Sequence, residues 1–304
     1  MKIKDAKNIK TLFCLFEQEC DKMIKVTAPV RIDISAGWSD ADPFRGQFGG
    51  AVLNAAITLR VSGILDNNKL TTSLEKVPAA SGLGTSGALR TAYLVIANPS
   101  LIENKMELVK RVNTFENAIV GQRAGFQDQC AAIFGGVNYW DFYKDGSIRR
   151  ISIPESKATH LFDRLVLVYT GDRHQSSDVH SDVFVGKTYM KHIFAIQRMK
   201  EIAREMKTHI TNEKMMAVLI NETWELQKSL HLGMETFAMK KIQKFAEGDY
   251  LACRATGAGG GGCMIFYTDK KQKLISKLKK ADGQLHKMRV IPFKFDYGGI
   301  RFEK

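Results

Sequence analysis

Two glycine-rich segments place the strongest constraint on how this chain can fold. The first spells Gly-Leu-Gly-Thr-Ser-Gly over residues 82–87 and leads directly into a helix-prone segment, residues 88–96. The second covers residues 257–262 and precedes a short apolar segment that predicts a strand. Glycine is costly to order, so such runs indicate backbone that approaches a ligand closely or adopts positive φ. Because a helix N-terminus offers free N–H groups and partial positive charge, the first segment predicts a phosphate-binding loop.

Other phosphate-binding loops fit the first segment less well. Both glycine segments match the dinucleotide pattern G-x-G-x-x-G, but that pattern needs an acidic residue at a strand end about 20 positions further on. Glu103, the nearest candidate, falls in a helical pattern. The ATPase P-loop requires Lys and then Ser or Thr after its last glycine, whereas Ala88 and Leu89 follow Gly87. The P-loop reading therefore fails.

Composition and charge remove several classes of protein. The 304 residues are 44% hydrophobic and 25% charged, which is typical of a globular chain of about two domains. Lys and Arg exceed Asp and Glu by 45 to 32, a net charge of +13. These charges lie in amphipathic helical patterns without interleaved aromatics, so nucleic-acid and membrane partners are not expected. Five cysteines without a C-x-x-C pair and the lack of a leader pattern predict a cytoplasmic protein.

The hydrophobic periodicity predicts a mixed α and β chain. Strands are expected over residues 26–34, 51–64, 69–77, 136–143, 148–153, 161–169, 263–267, 288–295 and 299–302. Helices are expected over residues 88–96 and 103–120 and through most of residues 181–245. The one plausible boundary between domains is near residues 156–160.

Separated motifs in a fixed order resemble those of the GHMP kinases, the family of galactokinase, homoserine kinase and mevalonate kinase. Residues 28–33 and 37–40 resemble its first motif, residues 78–86 its second, and residues 256–262 its third. Between the last two, Glu116 and the segment Gly125-Phe126-Gln127-Asp128-Gln129 resemble its metal-binding glutamate and its catalytic aspartate segment. The resemblance covers residues 26–302.

Within this family the sugar-kinase branch is the most similar. Residues 35–40, 49–57 and 290–297 are similar to L-fucokinase. Residues 127–136 and the strand end at residues 168–171 are similar to the D-glycero-D-manno-heptose 7-phosphate kinases. One substrate is neutral and the other carries a phosphate, and the motifs do not distinguish them.

The resemblance implies an α+β, two-domain GHMP kinase fold. Residues 1–158 would form an N-terminal αβ domain with the phosphate-binding loop, and residues 159–304 a ferredoxin-like C-terminal domain. The implied activity is ATP-dependent transfer of the γ-phosphoryl group to the anomeric hydroxyl of a monosaccharide or sugar phosphate. The alternatives are a GHMP kinase for another alcohol such as galactose, an inactive nucleotide-binding regulatory module, and a dinucleotide-dependent oxidoreductase. A homodimer is left open.

The resemblance also assigns catalytic and cofactor roles. Asp128 would accept the proton or hydrogen bond of the sugar hydroxyl, and Arg31 would keep Asp128 ionised and stabilise the phosphoryl group. Ser86 and Glu116 would supply oxygen ligands to Mg²⁺, and ATP is the co-substrate. The ATP phosphates would lie on Gly82, Leu83, Gly84, Thr85, Ser86 and Gly87.

A further set of residues is expected to contact the substrate. Asp40 would accept hydrogen bonds from sugar hydroxyls, and Trp38 would cover a sugar face, with core packing an equal alternative. The substrate-binding set as a whole is Trp38, Ser39, Asp40, Tyr169, Arg173, Gly257, Ala258 and Gly259.

The chain departs from the family pattern in two places. Only about 20 residues separate Leu59 from Pro78. Either residues 65–69 join two strands directly, or a longer loop on the adenine side is absent, and adenine contacts are not assigned. Arg254 stands where relatives often carry Lys ahead of the third motif, a change that the sequence leaves unexplained.

Overall fold

Within the residues that the structure describes, the strands form two antiparallel sheets. A computed structural model describes residues 23–121, 123–172, 182–184, 186–281, 285 and 287–303. The first sheet contains the strands β1 Ile24–Asp33, β2 Gly50–Asp66, β3 Lys69–Ser73, β4 Val137–Phe142, β5 Ile148–Ser152 and β10 Arg301–Glu303. Five of these six strands are paired in the order β10-β1-β2-β4-β5, and β3 is also paired to β2.

The second sheet has four strands in the order β7-β8-β6-β9, all antiparallel. These strands are β6 Leu165–Tyr169, β7 Ala252–Ala255, β8 Cys263–Tyr267 and β9 Arg289–Ile291. The first three are almost wholly buried, as expected of short apolar strands covered on both faces. The second glycine segment is the connection between β7 and β8.

Helices cover both sheets. In chain order they are α1 Phe44–Phe48, α2 Thr85–Ala97, α3 Lys105–Thr114, α4 Gln127–Phe134, α5 Glu155–Phe162, α6 Gly186–Thr208, α7 Glu213–Leu230, α8 Phe237–Ala246 and α9 Lys271–Lys280. The main hydrophobic core contains side chains from both sheets, among them Ile32, Leu53, Leu167 and Ile265. The two sheets therefore share one continuous apolar core. None of the helices in the described ranges combines the length and the apolar character needed to cross a bilayer.

Several expected elements have different bounds, among them the strand expected over residues 69–77, which ends at Ser73. The apolar run 161–169 is not one strand, because Leu161 belongs to α5 and buries its side chain from that helix, and β6 begins at Leu165. The expected helix 103–120 ends as an α-helix at Thr114 and continues as one wider turn, Phe115–Ile119. The expected strand 288–295 is shorter, since Pro292 follows β9 and cannot donate a ladder hydrogen bond.

The short segment after Leu59 is a direct hairpin. β2 and β3 are paired from Leu65 with Leu70 to Asp66 with Lys69, and Asn67 and Asn68 both have positive φ. Two consecutive residues of positive φ form the tight turn that suits a two-residue hairpin. Of the two explanations for the short segment, direct joining is therefore confirmed.

The boundary at residues 158 and 159 stays a prediction. It lies within α5, and β10 at the far end of the chain pairs with β1 in the first sheet. Arg60 of β2 also forms an ion pair with Asp296 and donates to the Gly299 carbonyl (2.7 Å), so the last residues are held against the first sheet.

Candidate active site

An arginine and an aspartate that are 97 positions apart meet at the centre of the site. Arg31 lies on β1, and its Nε and Nη2 lie 2.8 and 2.7 Å from Oδ1 of Asp128. Arg31 is buried, contrary to what a strand-edge arginine would show. Burial lowers the pKa of Arg31, but the charges of Asp128 and Asp33 outweigh it and raise the pKa overall. Arg31 therefore stays charged in the site.

Asp128 keeps one carboxylate oxygen available. It lies in the first turn of α4, where the helix dipole favours a negative charge. Both contacts from Arg31 reach Oδ1, and no hydrogen bond from the described residues reaches Oδ2. The side chain is 28% exposed. A carboxylate oxygen that none of these residues engages can accept a hydrogen bond from a ligand hydroxyl.

The first glycine segment closes directly over Asp128. Gly82 and Gly84 have φ of 71°, a conformation that glycine adopts without strain, and α2 begins at Thr85. A Cβ on Gly84 would lie 3.0 Å from Cγ of Asp128, and one on Gly87 would lie 2.7 Å from Cβ of Asp128. Side chains at these positions would displace the carboxylate. The free N–H groups at the start of α2 thus lie beside the Arg31–Asp128 pair.

The second glycine segment packs on the first, backbone to backbone. A Cβ on Gly82 would lie 2.7 Å from the Thr256 carbonyl oxygen, and one on Gly257 would lie 2.7 Å from the Gly82 carbonyl oxygen. The Gly82 carbonyl also accepts hydrogen bonds from Arg31 Nη1 (2.6 Å) and Thr256 Oγ1 (3.2 Å). The two segments therefore approach each other closely, whereas ligand binding by either one stays a prediction.

A second arginine–aspartate pair lies behind the glycine segments. Arg254 of β7 and Asp33 of β1 are both completely inaccessible, with Arg254 Nη2 3.4 Å from Asp33 Oδ2. Asp33 Oδ1 accepts the N–H of Gly257 at 2.9 Å. Burial raises the pKa of Asp33, but Arg254, Arg31 and this N–H outweigh it and hold the pKa below its usual range. The motifs assign a role to neither residue.

Asp40 is buried rather than open to the cleft. Its Oδ2 accepts the N–H groups of Phe126 (2.7 Å) and Gln127 (2.8 Å) at the start of α4. Its Oδ1 is buried and has no hydrogen-bond partner within the described part of the chain. Burial raises the pKa of Asp40 and the charge of Asp128 adds to this rise, while the two N–H groups lower it. The result is a pKa of about 7. Only Oδ1 is left for the predicted sugar contact.

The predicted Mg²⁺ ligands lie on one side of the loop. Ser86 is exposed in the first turn of α2, and Arg90, one turn later, donates to Oε1 of Glu116 at 2.6 Å. Oε2 of Glu116 is buried and lacks a partner among the described residues. Burial raises the pKa of Glu116 to about 7, with Arg90 opposing that rise. Hydroxyl and carboxylate oxygens suit Mg²⁺, so Ser86 and Glu116 fit the ion, while Arg90 takes one carboxylate oxygen.

Trp38 and Ser39 have packing roles. Trp38 is buried in a cluster of apolar side chains, with its ring centroid 5.8 Å from that of Phe184. Of its two readings, this geometry favours core packing, and the sugar contact stays a prediction. Ser39 is buried too, and its Oγ donates to the Ala51 carbonyl (2.9 Å) and accepts the Ala51 N–H (3.0 Å). The hydroxyl of Ser39 thus joins the first-motif loop to β2, and substrate binding by Ser39 stays a prediction.

The remaining predicted substrate residues are spread around the second glycine segment. Tyr169 ends β6 and is paired with Cys263 of β8. Ala258 is buried in the same apolar cluster as Trp38, and Gly259, with φ of 83°, lies close to the Met234 carbonyl. Arg173 lies outside the described residues.

Arg90 and Gln227 belong to the site and were missed. Arg90 stands four residues after Ser86, a spacing that places both on one helix face and that could have drawn attention to it. Gln227 lies in the middle of α7 and carries no local signal. Its amide donates to the Gly257 carbonyl at 2.9 Å, a contact that only the fold creates.

Comparison with known proteins agrees with this geometry. The family model "GHMP kinases N terminal domain" matches residues 52–136, a range that contains the first glycine segment, Glu116 and Asp128. Residues 52–136 therefore match the N-terminal domain of GHMP kinases. The fold of the chain is the mixed α and β fold of solved GHMP kinase structures, as the motifs led us to expect.

Similar proteins cover most of this chain. It is 25% identical to the D-glycero-alpha-D-manno-heptose 7-phosphate kinase of Campylobacter jejuni, over 92% of this chain and 98% of that protein. It is 24% identical to the bifunctional fucokinase/GDP-fucose pyrophosphorylase of Arabidopsis thaliana, over 82% of this chain but only 30% of that longer protein. The crystal structure of a D-glycero-D-manno-heptose 1-phosphate kinase from Bacteroides thetaiotaomicron superposes with a TM-score of 0.68. That match has 21% identity and covers 92% of this chain and 99% of the other.

The site combines the elements that phosphoryl transfer requires. Free N–H groups at a helix start can hold phosphates, and oxygen ligands suit a divalent cation. A carboxylate fixed by an arginine lies beside this helix start. Phosphoryl transfer depends on such positioning and charge neutralisation more than on covalent chemistry by the protein.

Proposed function

We propose that this chain is a GHMP kinase that transfers the γ-phosphoryl group of ATP to the anomeric hydroxyl of a monosaccharide or sugar phosphate. The observation that carries the proposal is the position of Asp128. Its carboxylate is fixed by Arg31 through Oδ1, keeps Oδ2 accessible, and lies directly beneath Gly84 and Gly87 at the start of α2. A hydroxyl bound at Oδ2 would therefore lie next to phosphates held by the glycine segment.

The six residues from Gly82 to Gly87 would hold the ATP phosphates through backbone N–H groups. This role is supported by the glycines at 82 and 84, whose positive φ turns the backbone just before the helix. It is also supported by the net positive charge of the chain, which favours a triphosphate. Thr85 and Ser86 add hydroxyl groups at the helix start, and Thr85 Oγ1 is buried without a partner among the described residues.

The metal role is proposed for Ser86 and Glu116. When bound, Mg²⁺ would neutralise charge on the transferring phosphate. The unpaired Oε2 of Glu116 supports this role because a buried carboxylate oxygen needs a cation or a donor. Arg90 holds the other oxygen and fixes the direction of the carboxylate.

Asp128 would accept the sugar hydroxyl and orient it for in-line attack. A carboxylate is a weak base for an alcohol, so positioning is its larger contribution, and the proton moves late to Oδ2. Arg31 would keep Asp128 ionised and add positive charge near the transferred group. Oδ1 of Asp40, Tyr169 and the backbone of residues 257–259 are the proposed sugar contacts.

The first substrate to test is a D-glycero-D-manno-heptose 7-phosphate. The Campylobacter jejuni relative is matched over almost all of both chains, whereas the fucokinase relative is matched over a third or less of its length. L-fucose and galactose are the neutral alternatives.

The test is ADP release from Mg²⁺-ATP with a panel of D-glycero-D-manno-heptose 7-phosphate, L-fucose, galactose and sedoheptulose 7-phosphate. We expect turnover with at least one sugar, and phosphorus NMR of the product should show a new phosphate at the anomeric carbon. Turnover with a phosphate elsewhere would refute the anomeric acceptor. ATP binding without turnover on any sugar would support the regulatory module, and binding of NADH would support the oxidoreductase.

A further inference from the structure

Arg254 is a completely buried charge behind the glycine segments. Its side chain has no solvent exposure, and it donates to the Asp33 carbonyl from Nη1 and to Gln227 Oε1 from Nη2 (3.0 Å). Nη2 also lies 3.4 Å from the Asp33 carboxylate. Removing such a charge from water is costly unless it is paired and hydrogen-bonded. The burial of Arg254 therefore depends on its hydrogen-bond partners, which indicate what the residue does.

The two partners of Arg254 both hold Gly257. Asp33 Oδ1 accepts the Gly257 N–H at 2.9 Å, and Gln227 Nε2 donates to the Gly257 carbonyl at 2.9 Å. The hydrogen bonds therefore form a closed ring through Arg254, Asp33, Gly257 and Gln227. Both backbone groups of one residue in the second glycine segment are fixed by side chains that Arg254 in turn fixes.

Gly257 passes this constraint to the phosphate-binding loop. There is no room for a methyl group between Gly257 and the Gly82 carbonyl, and the next strand residue, Cys263, donates its N–H to the Ser81 carbonyl at 2.8 Å. The Gly82 carbonyl is also the acceptor of Arg31 Nη1. Arg31 and Asp33 lie two residues apart on β1 and so project from the same face.

We infer that Arg254 is a positioning residue: through Asp33 and Gln227 it holds Gly257 against Gly82, and thereby sets the first glycine segment relative to Arg31 and Asp128. This inference rests on the proposed kinase function for its kinetic consequence. The structural consequence, an ordered contact between the two glycine segments, is independent of any substrate.

Two variants separate positioning from simple charge compensation. Arg254→Lys keeps the positive charge but loses the planar fork that reaches three acceptors at once. The double variant Asp33→Asn with Arg254→Met removes both charges, so no unpaired charge is left buried. Charge compensation predicts that the double variant recovers the melting temperature and the activity together. Positioning predicts that only the melting temperature recovers.

Hydrogen–deuterium exchange and kinetics on the full-length protein provide the readouts. In both variants we expect exchange over residues 81–84 and 256–263 to rise at least tenfold, while exchange in β2 and β4 stays as in the wild type. We also expect kcat to fall at least tenfold with less than a threefold change in KM for the sugar.

Arg60→Lys is the matched control. Arg60 is also a buried arginine that is paired with an aspartate and donates to backbone carbonyls, but its partners are Asp296, Thr27 and Gly299. We expect it to lower the melting temperature without raising exchange over residues 256–263.

Unchanged exchange at the glycine segments in both Arg254 variants overturns the inference, as does recovery of full kcat in the double variant. If the wild type phosphorylates none of the sugars, the proposed function fails, and the exchange experiment alone still decides the role of Arg254.

Discussion

Two arginine–aspartate pairs each have one member on β1, two residues apart, and they differ in how exposed their carboxylates are. Arg31 reaches Asp128, whose side chain is 28% exposed and keeps Oδ2 without a hydrogen bond from the described residues. Asp33 contacts Arg254, and neither side chain is exposed to solvent. Each oxygen of the Asp33 carboxylate contacts a hydrogen-bond donor. The same chemical pair thus keeps one carboxylate oxygen without a donor from the described residues in one place and has both carboxylate oxygens engaged in the other.

The difference shows how to distinguish chemistry from scaffolding in a buried charge network. A carboxylate that keeps a free oxygen can still react, whereas one whose oxygens are all engaged can only hold its neighbours. Asp40 stands between these cases, since Oδ2 is engaged and Oδ1 is not. The comparison can be tested by substituting each of the three carboxylates and their nearest contacts.

The largest effects are expected from exchanging the two paired aspartates for asparagine. Asp128→Asn should lower turnover about 10³-fold, because an amide cannot take the hydroxyl proton, while ATP affinity stays within twofold. Asp33→Asn should instead lower the free energy of unfolding by about 3 to 5 kcal/mol, because it leaves Arg254 buried and uncompensated. Steady-state kinetics, ATP titration and denaturant unfolding measure these quantities. Turnover that survives in Asp128→Asn would remove Asp128 from the catalytic role.

We expect Asp40, which has one carboxylate oxygen without a partner among the described residues, to make the stability of the protein depend on pH. Its pKa is about 7 in the folded protein and about 3.9 in an unfolded chain. The folded state therefore binds the proton more tightly, and this contribution to stability is complete below pH 4 and is lost as the pH rises to 7.

Asp40→Asn mimics the protonated form and should lack this dependence. Between pH 5 and pH 8, the unfolding free energy of the wild type should fall by about 2 to 3 kcal/mol relative to that variant. Urea unfolding of both proteins at the two pH values gives the difference. A gap that does not change with pH would mean that Asp40 is ionised throughout.

The smallest expected effect tests how closely the glycine segment must approach the open pair. Alanine stabilises a helix by about 0.5 to 1 kcal/mol relative to glycine, so Gly87→Ala should not harm α2 itself. The new methyl would lie 2.7 Å from Cβ of Asp128, so turnover should fall about tenfold as the carboxylate shifts.

Gly46→Ala is the control, because Gly46 is also helical and its methyl would meet only the Asp42 side chain. It should leave turnover unchanged. Equal turnover in the two alanine variants would show that Asp128 tolerates displacement by the loop.

Local patterns predicted the parts of the site that consist of short segments. The glycine run before a helix predicted the first loop, and the resemblance to the GHMP kinases, carried by motifs in a fixed order, led to Arg31, Asp128 and the role of the second loop. The close approach of the glycine segments could also be expected, because four consecutive glycines exceed what a turn requires.

Other features depend on contacts between distant residues and had no local signal. Arg254 and Asp33 are 221 positions apart, and nothing near either residue indicates the other. The motif around Ser39 could not reveal that its hydroxyl is used by Ala51, since burial depends on how β2 packs against the first-motif loop. The start of β6 was predicted wrongly for a different reason. The end of a buried helix and a buried strand can contain the same apolar residue types, so an apolar run alone does not show where one ends and the other begins.

The pairing of β10 with β1 makes the order of synthesis matter. The strand that carries Arg31 is made long before β10, its outer neighbour in the sheet. Asp296, the acidic partner of Arg60, is also made long after Arg60. Until then β1 has one open edge and Arg60 lacks its counter-charge. The half of this molecule that contains the first glycine segment is therefore not a separable unit, and expressing it without β10 would leave its first sheet incomplete.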